Sequence, residues 1–189
     1  MARERKFSTE DLFQATEQML LTHGYEGFSI SPLAEQLEIS RGAIYKYYEN
    51  KEELITDYML YKMEHFLVEL KEIETINGFD AQFDFLINII FKNSTIPHMI
   101  EIGRRIPINN KKVQENNEKR EKLHLDMYHH LQGFISLGRQ EGKLRETLPD
   151  QLILGFIFQT ILIPNHFGIP QSKWISSIKE MICHGMLNN

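Results

Sequence analysis

Side chains with the means to do chemistry gather in three places, and only one of the three forms a coherent set. His124, His129 and His130, with Glu101 or Asp126, are the donor types of a metal site, but spacings of five and one do not put the histidines on one helical face. They read as solvated or satisfied side chains. Arg104-Arg105 and Lys111-Lys112 are short basic pairs that could meet an anionic ligand, although such pairs are ordinarily solvated. The third place runs from Ser40 to Lys51: a serine, Arg41, Gly42, Tyr45, Lys46 and Tyr47 in quick succession, then Lys51. Small, hydroxylic, aromatic and cationic groups so mixed are suited to phosphates and base edges. No Gly-rich phosphate loop, nucleophile elbow or zinc-protease signature accompanies them, so neither an enzyme nor a cofactor is implied.

Such a set works only if the chain presents it, and helices are what the pattern offers. Apolar residues recur at three and four nearly throughout, which predicts an all-α fold of about nine helices. Ser8 and Asp11 resemble a capping box, with Phe7 and Leu12 as its hydrophobic staple. Leu12, Ala15, Met19 and Leu20 follow as an inward stripe, and Gly24 is placed to stop the first helix. Ser29 caps a short second helix with Ile30, Leu33, Ala34 and Leu37 facing inward. Glu38-Ile39-Ser40 is a three-residue turn into a third helix, Arg41 to Tyr48, and two short helices so joined make a helix-turn-helix. Asn50 and Glu53 open a long fourth helix to about Thr75. Beyond it come helices at about Phe79–Ser94, between Pro97 and Pro107, at about Lys112–Gln140, from Asp150 to near Pro164, and from Pro170 to the end.

On such a frame, Ser40 and Gly42 leave the start of the third helix narrow enough to approach a groove or phosphate. Arg41 and Tyr45, four apart, share a face that Lys46 extends and Tyr47 flanks; Ile44 and Tyr48 take the core face. Ser29 and Ser31 reach phosphates from the second helix, and Lys51 is placed as a phosphate clamp. These residues, from Gly24-Tyr25-Glu26-Gly27-Phe28-Ser29-Ile30 through Ile39-Ser40-Arg41-Gly42-Ala43-Ile44-Tyr45-Lys46-Tyr47-Tyr48 to Lys51-Glu52-Glu53-Leu54, resemble the N-terminal domain of the tetracycline-repressor (TetR) family. The resemblance covers about residues 7–55. It implies a DNA-binding head over residues 1–50 and an effector-binding and dimerisation domain over 51–189. Double-stranded operator DNA is then the partner, with repression relieved by a small molecule; the alternatives are control by a protein partner and, ranked behind it, a helical enzyme whose head is merely structural. Two residues depart from the family pattern: Glu38 where glycine is common, and Ser31 where a basic residue is frequent.

Charge pulls the other way. The 189-residue chain carries a net charge of −5, and residues 1–51 hold six Lys/Arg against eight Asp/Glu, a balance of −2. DNA binding therefore requires cations on one face and acids on another, helped by the basic start Arg3-Glu4-Arg5-Lys6. One cysteine, Cys183, no secretion signal and no span of about 20 apolar residues point to a cytoplasmic protein without a membrane partner.

The eighth helix is apolar almost all round, and a helix of that kind cannot face water on any side. A second copy is the economical cover. The expected dimer surface comprises Leu154, Phe158 and Ile161 with Trp174, Ile178 and Met181, on the last two helices that TetR-like proteins use for this purpose. The family resemblance also implies a pocket among helices four to eight. Its candidate lining, by apolar type, is Met63, Phe66, Phe91, Met99, Phe134 and Phe156, which would suit an apolar or amphipathic effector.

Overall fold

The structure, a computed structural model, describes residues 7–93 and 95–186. The basic start at residues 3–6, Ser94 and Leu187 lie outside the described residues. Helices α1 (Thr9–Gly27), α2 (Ile30–Gln36) and α3 (Arg41–Ile44) are followed by α4 (Lys51–Leu70), α5 (Phe79–Lys92) and α6 (Ile96–Arg105). Then come α7 (Lys111–His130), α8 (Gln132–Gln140), α9 (Asp150–Gln159) and α10 (Gln171–Met186), with 3-10 turns at Lys71–Thr75 and Thr160–Leu162. Only Leu131 parts α7 from α8, so these two count as one bent helix and the described residues hold nine. The bend has a local cause: Leu131 bonds back to the Tyr128 carbonyl, three residues earlier, and is fully buried.

Caps fix where the first helices begin and end. The Ser8 hydroxyl accepts the Asp11 amide at 2.9 Å and the Asp11 carboxylate accepts the Ser8 amide at 3.3 Å, closing the capping box. Gly24 interrupts α1 at φ 64°, ψ −174°, a conformation that only glycine adopts freely. At the start of α4 the Asn50 side chain accepts from the Glu53 amide at 2.9 Å, and Glu53 reaches back to the Glu49 amide at 2.8 Å.

The chain separates into two compact units, one holding the described residues up to Glu64 with His98–Lys122, the other His65–Pro97 with those from Leu123 onward. This division falls deeper than a boundary at residue 50, because α6 and the first half of α7 belong to the unit of the helix-turn-helix. The first unit has one apolar core: Leu12, Leu20, Phe28, Leu33, Ile44, Leu54 and Ile55 meet Ile102, Ile106 and Val113. Polar contacts stitch α4 to α7 along the same seam. Asn110 donates to the Glu53 carboxylate at 2.8 Å and Asn116 to the Thr56 hydroxyl at 3.1 Å, while the Arg120 guanidinium reaches the Met59 sulfur at 3.3 Å.

In the second unit α5 lies against α8. The Phe79 ring stacks on Phe134 at 4.8 Å and on Phe83 at 6.0 Å. Gly138 makes this possible, since a Cβ there would stand 2.6 Å from both the Phe79 ring and Leu144. Ile153, Leu154, Ile157, Ile178 and Ile182 complete the buried set.

Candidate nucleic-acid interface

The recognition segment is held from behind and left open in front. Ile44 and Tyr48 are buried, and the Tyr48 hydroxyl donates to Asp57 at 2.8 Å, so this pair anchors α3 to the core. The regular helix is shorter than the expected Arg41–Tyr48: it ends at Ile44, and a turn continues through bonds from the Tyr47 and Tyr48 amides to the Ile44 carbonyl. The Tyr48 amide keeps the helical i, i+4 bond to Ile44 while the Tyr47 amide makes an i, i+3 bond to the same carbonyl, a tightened last turn.

Ser40, Arg41, Gly42, Tyr45, Lys46 and Tyr47 are all exposed, as are Ser29 and Ser31. Ser29 and Ser40 have extended N-cap backbones, yet neither hydroxyl bonds to its own helix, which differs from the capping role that their positions suggest. Arg41 donates to the Ser31 hydroxyl at 3.3 Å, aligning the starts of α2 and α3. Tyr45 is 51% exposed and Tyr47 43%, the latter standing edge-on to Phe7 at 6.1 Å. A Cβ at Gly42 would meet nothing nearer than the Ser40 hydroxyl, 4.0 Å away. No packing inside the protein therefore demands glycine at that position.

Lys51 requires a correction. It is half-buried, donates to the Tyr25 carbonyl at 2.9 Å and the Phe28 carbonyl at 3.4 Å, and lies 4.2 Å over the Tyr25 ring. The ammonium thus caps the frayed end of α1 and is not free to clamp a phosphate by direct contact. Tyr25 in turn donates to Glu52 at 2.7 Å, and burial together with that bond pushes its hydroxyl pKa well above the usual phenol range. Glu38 is the left-handed residue of the turn at φ 54°, so the missing glycine is a real strain.

The candidate pocket residues do not share a unit. Met63 and Met99 fall in the first, Met99 against its core; Phe66, Phe91, Phe134 and Phe156 fall in the second. Phe91 and Phe134 are core, and Phe156 is 49% exposed, because α9 turns that side outward. Phe66 meets Phe158 edge-on at 6.4 Å, and Tyr128 lies 6.1 Å from the same ring. Burial raises the Tyr128 hydroxyl pKa.

The expected dimer face is also redrawn. Leu154 and Ile178 are interior to their own unit, and Phe158, Ile161 and Trp174 are half-buried; of the six, Met181 is exposed. The apolar side chains open to water here are Leu152, Phe156, Ile163, Phe167 and Met181. The exposed α9 positions, Leu152 and Phe156, lie two residues from the expected Leu154 and Phe158, because Ile153, Leu154 and Ile157 occupy the core side. His129 approaches Asp126 at 4.0 Å and His130 approaches Glu74 at 3.6 Å; no cluster able to hold a metal occurs among the described residues. No helix among them is long and apolar enough to cross a membrane.

Sequence reasoning passed over the polar seam of α4 and α7. Glu53 stands in the sequence as a capping residue, but nothing in its spacing announces that it meets Asn110.

Residues 12–58 match the family model of bacterial regulatory proteins, tetR family. Over 154 residues the chain is 25% identical to the fatty acid metabolism regulator protein of Bacillus subtilis (strain 168), covering 79% of this chain and 77% of the relative. The transcriptional regulator FadR from B. subtilis, solved in complex with stearoyl-CoA, superposes with a TM-score of 0.69 at 22% identity, covering 94% of this chain and 99% of that one. A protein of Saccharomonospora viridis solved in complex with choline superposes with a TM-score of 0.77 at 13% identity, covering 96% and 98%. At such identities the structural likeness speaks for the fold alone.

Proposed function

We propose that the chain is a DNA-binding transcriptional regulator of the TetR family and that it acts as a homodimeric repressor. On this reading the turn from Ser40 to Tyr47 enters the major groove of a palindromic operator, and a small amphipathic effector releases it. The observation that carries the DNA face is Gly42: an exposed glycine with open space before it, flanked by Arg41, Tyr45 and Lys46. Residues 1–50 form the reading head, and residues from 51 onward receive the effector and the second copy. The exposed apolar side chains Leu152, Phe156, Ile163 and Phe167 on and after α9, and Met181 on α10, support dimerisation, because large apolar groups gathered on one pair of successive elements are suited to a partner surface. Two heads are also what a twofold operator needs. The stearoyl-CoA in the B. subtilis FadR complex makes an acyl-CoA the first effector to test. A cytoplasmic location fits both partners.

An effector releases DNA only by binding the DNA-incompetent arrangement more tightly. The α4–α7 seam offers a physical link, since Asn110 at the head of α7 bonds to the same Glu53 that caps α4 just behind α3. The test is fluorescence anisotropy with a fragment from upstream of the gene itself, with and without stearoyl-CoA. Wild type binds and is released by the acyl-CoA; Tyr45→Ala and Lys46→Ala bind more weakly by about tenfold or more. Equal affinity for all three proteins removes the turn from the DNA face. In parallel, sedimentation of wild type gives a dimer, and Phe156→Glu shifts it towards monomer.

A further inference from the structure

A duplex is gripped through its phosphates, and the head has few cations to spare for them. Between Phe7 and Asn50 the sequence holds two Lys or Arg residues, Arg41 and Lys46. Lys51, next along the chain, is spent on the Tyr25 and Phe28 carbonyls at 2.9 and 3.4 Å. The two remaining cations are held differently. Lys46 is exposed and makes no hydrogen bond or ion pair among the described residues. Arg41 is drawn sideways: its Nη1 donates to the Ser31 hydroxyl at 3.3 Å, from the first residue of α3 across to the first turn of α2. No carboxylate among the described residues forms an ion pair with it.

The bond to Ser31 bears on what Arg41 can recognise. Reading a guanine takes two guanidinium N–H groups presented side by side to the base edge. An arginine with Nη1 engaged on α2 is poorly placed for that, because its fork leans towards the exposed serines of that helix. Hydroxyls beside an arginine are instead the groups that proteins aim at the sugar-phosphate backbone. Ser31 Oγ accepts from Arg41 and keeps its own O–H to donate, while the guanidinium keeps its remaining N–H groups. Both residues are exposed, so the pair turns a set of donors outward, and a phosphate oxygen only accepts. Ser29, two residues earlier, is exposed too, with a hydroxyl that does not bond to its own helix. At 3.3 Å the Arg41–Ser31 bond is long, so it biases the side chain without locking it.

We propose that Arg41 clamps a phosphate of the operator and does not read a base, and that Ser31 is the residue that positions it. The inference rests on the DNA-binding reading above and divides the work of its exposed turn. It supplies the phosphate contact that Lys51, held by carbonyls, does not make.

The test is fluorescence anisotropy across a salt series, with full-length protein and two duplexes of equal length. One is the tightest sequence that wild type selects from random duplexes, and the other is that sequence scrambled. Arg41→Gln weakens binding to both by a similar factor, about threefold to tenfold, and makes the slope of log affinity against log salt shallower by about 0.9. The ratio of the two affinities stays as in wild type. Arg41→Lys keeps the wild-type slope, since the charge remains. Ser31→Ala weakens both by about twofold to threefold with the slope unchanged, and Ser31→Thr, which keeps the hydroxyl, recovers the loss. A fall confined to the selected sequence in Arg41→Gln makes Arg41 a base reader and overturns the clamp, with the DNA-binding head left standing. Wild-type affinity of Arg41→Gln for both duplexes also overturns it. Ser31→Ala matching wild type, or Ser31→Thr failing to recover, removes the positioning role. A wild type that selects no sequence overturns the inference and the DNA-binding reading together.

Discussion

Gly42 and Gly138 are the same residue used for opposite reasons. At Gly138 the missing side chain is filled by the protein itself, with the Phe79 ring and Leu144 within 2.6 Å of where a Cβ would be. At Gly42 the space is filled by nothing, the nearest side-chain atom being 4.0 Å away. A glycine that its own fold requires speaks of packing. One that its own fold does not require, set among exposed cations and tyrosines, speaks of something that approaches from outside.

The contrast can be broken most sharply at Gly138. Gly138→Ala pushes a methyl into Phe79 and Leu144 and is expected to destabilise the second unit by about 1–3 kcal/mol, read as a lower thermal midpoint. A midpoint within error of wild type would mean that the α5–α8 contact gives way easily. Next in size is Lys51→Ala. Losing a cation that answers two carbonyls and covers the Tyr25 ring is expected to cost about 1–2 kcal/mol of stability by denaturant titration. A loss of operator affinity with stability intact would return Lys51 to the DNA face. Glu38→Gly is expected to stabilise by about 1 kcal/mol, since it relieves a left-handed backbone without removing a hydrogen bond. A destabilised variant would show that the Glu38 side chain does more than tolerate its turn.

The smallest effect is one of pH. Burial first, then Glu52 for Tyr25 and Glu17 for Tyr58, raise both phenol pKa values above the ordinary value near 10. The unfolded chain therefore releases these protons before the folded one does. The stability they contribute is complete below about pH 10 and falls as pH rises beyond it. Urea titrations above pH 10 should show that decline, and Tyr25→Phe should make it shallower; an unchanged slope would remove Tyr25 from the account.

Much of this was legible in the sequence where a signal is local. Ser8 with Asp11, Gly24, Asn50 with Glu53, and the alternation of Ile44 and Tyr48 against Tyr45 and Lys46 act within one helix or turn, and their roles follow from spacing. Lys51 was misread because its partners, the Tyr25 and Phe28 carbonyls, are backbone groups far off in sequence, and no side-chain pattern reveals them. The face of α9 was off by two positions for a related reason. An almost wholly apolar helix has no polar side to orient it, so only tertiary packing tells Leu154 from Phe156. Arg120 is a further case, unremarkable in a charged run until the fold sets its guanidinium against the Met59 sulfur.

The most direct test of the outward-facing turn is the operator affinity of Gly42→Ala, measured beside its thermal midpoint. The account predicts a midpoint unchanged or slightly raised, because alanine favours the helix, with affinity lower by about tenfold or more as the methyl meets DNA. Wild-type affinity in a folded Gly42→Ala protein would contradict it.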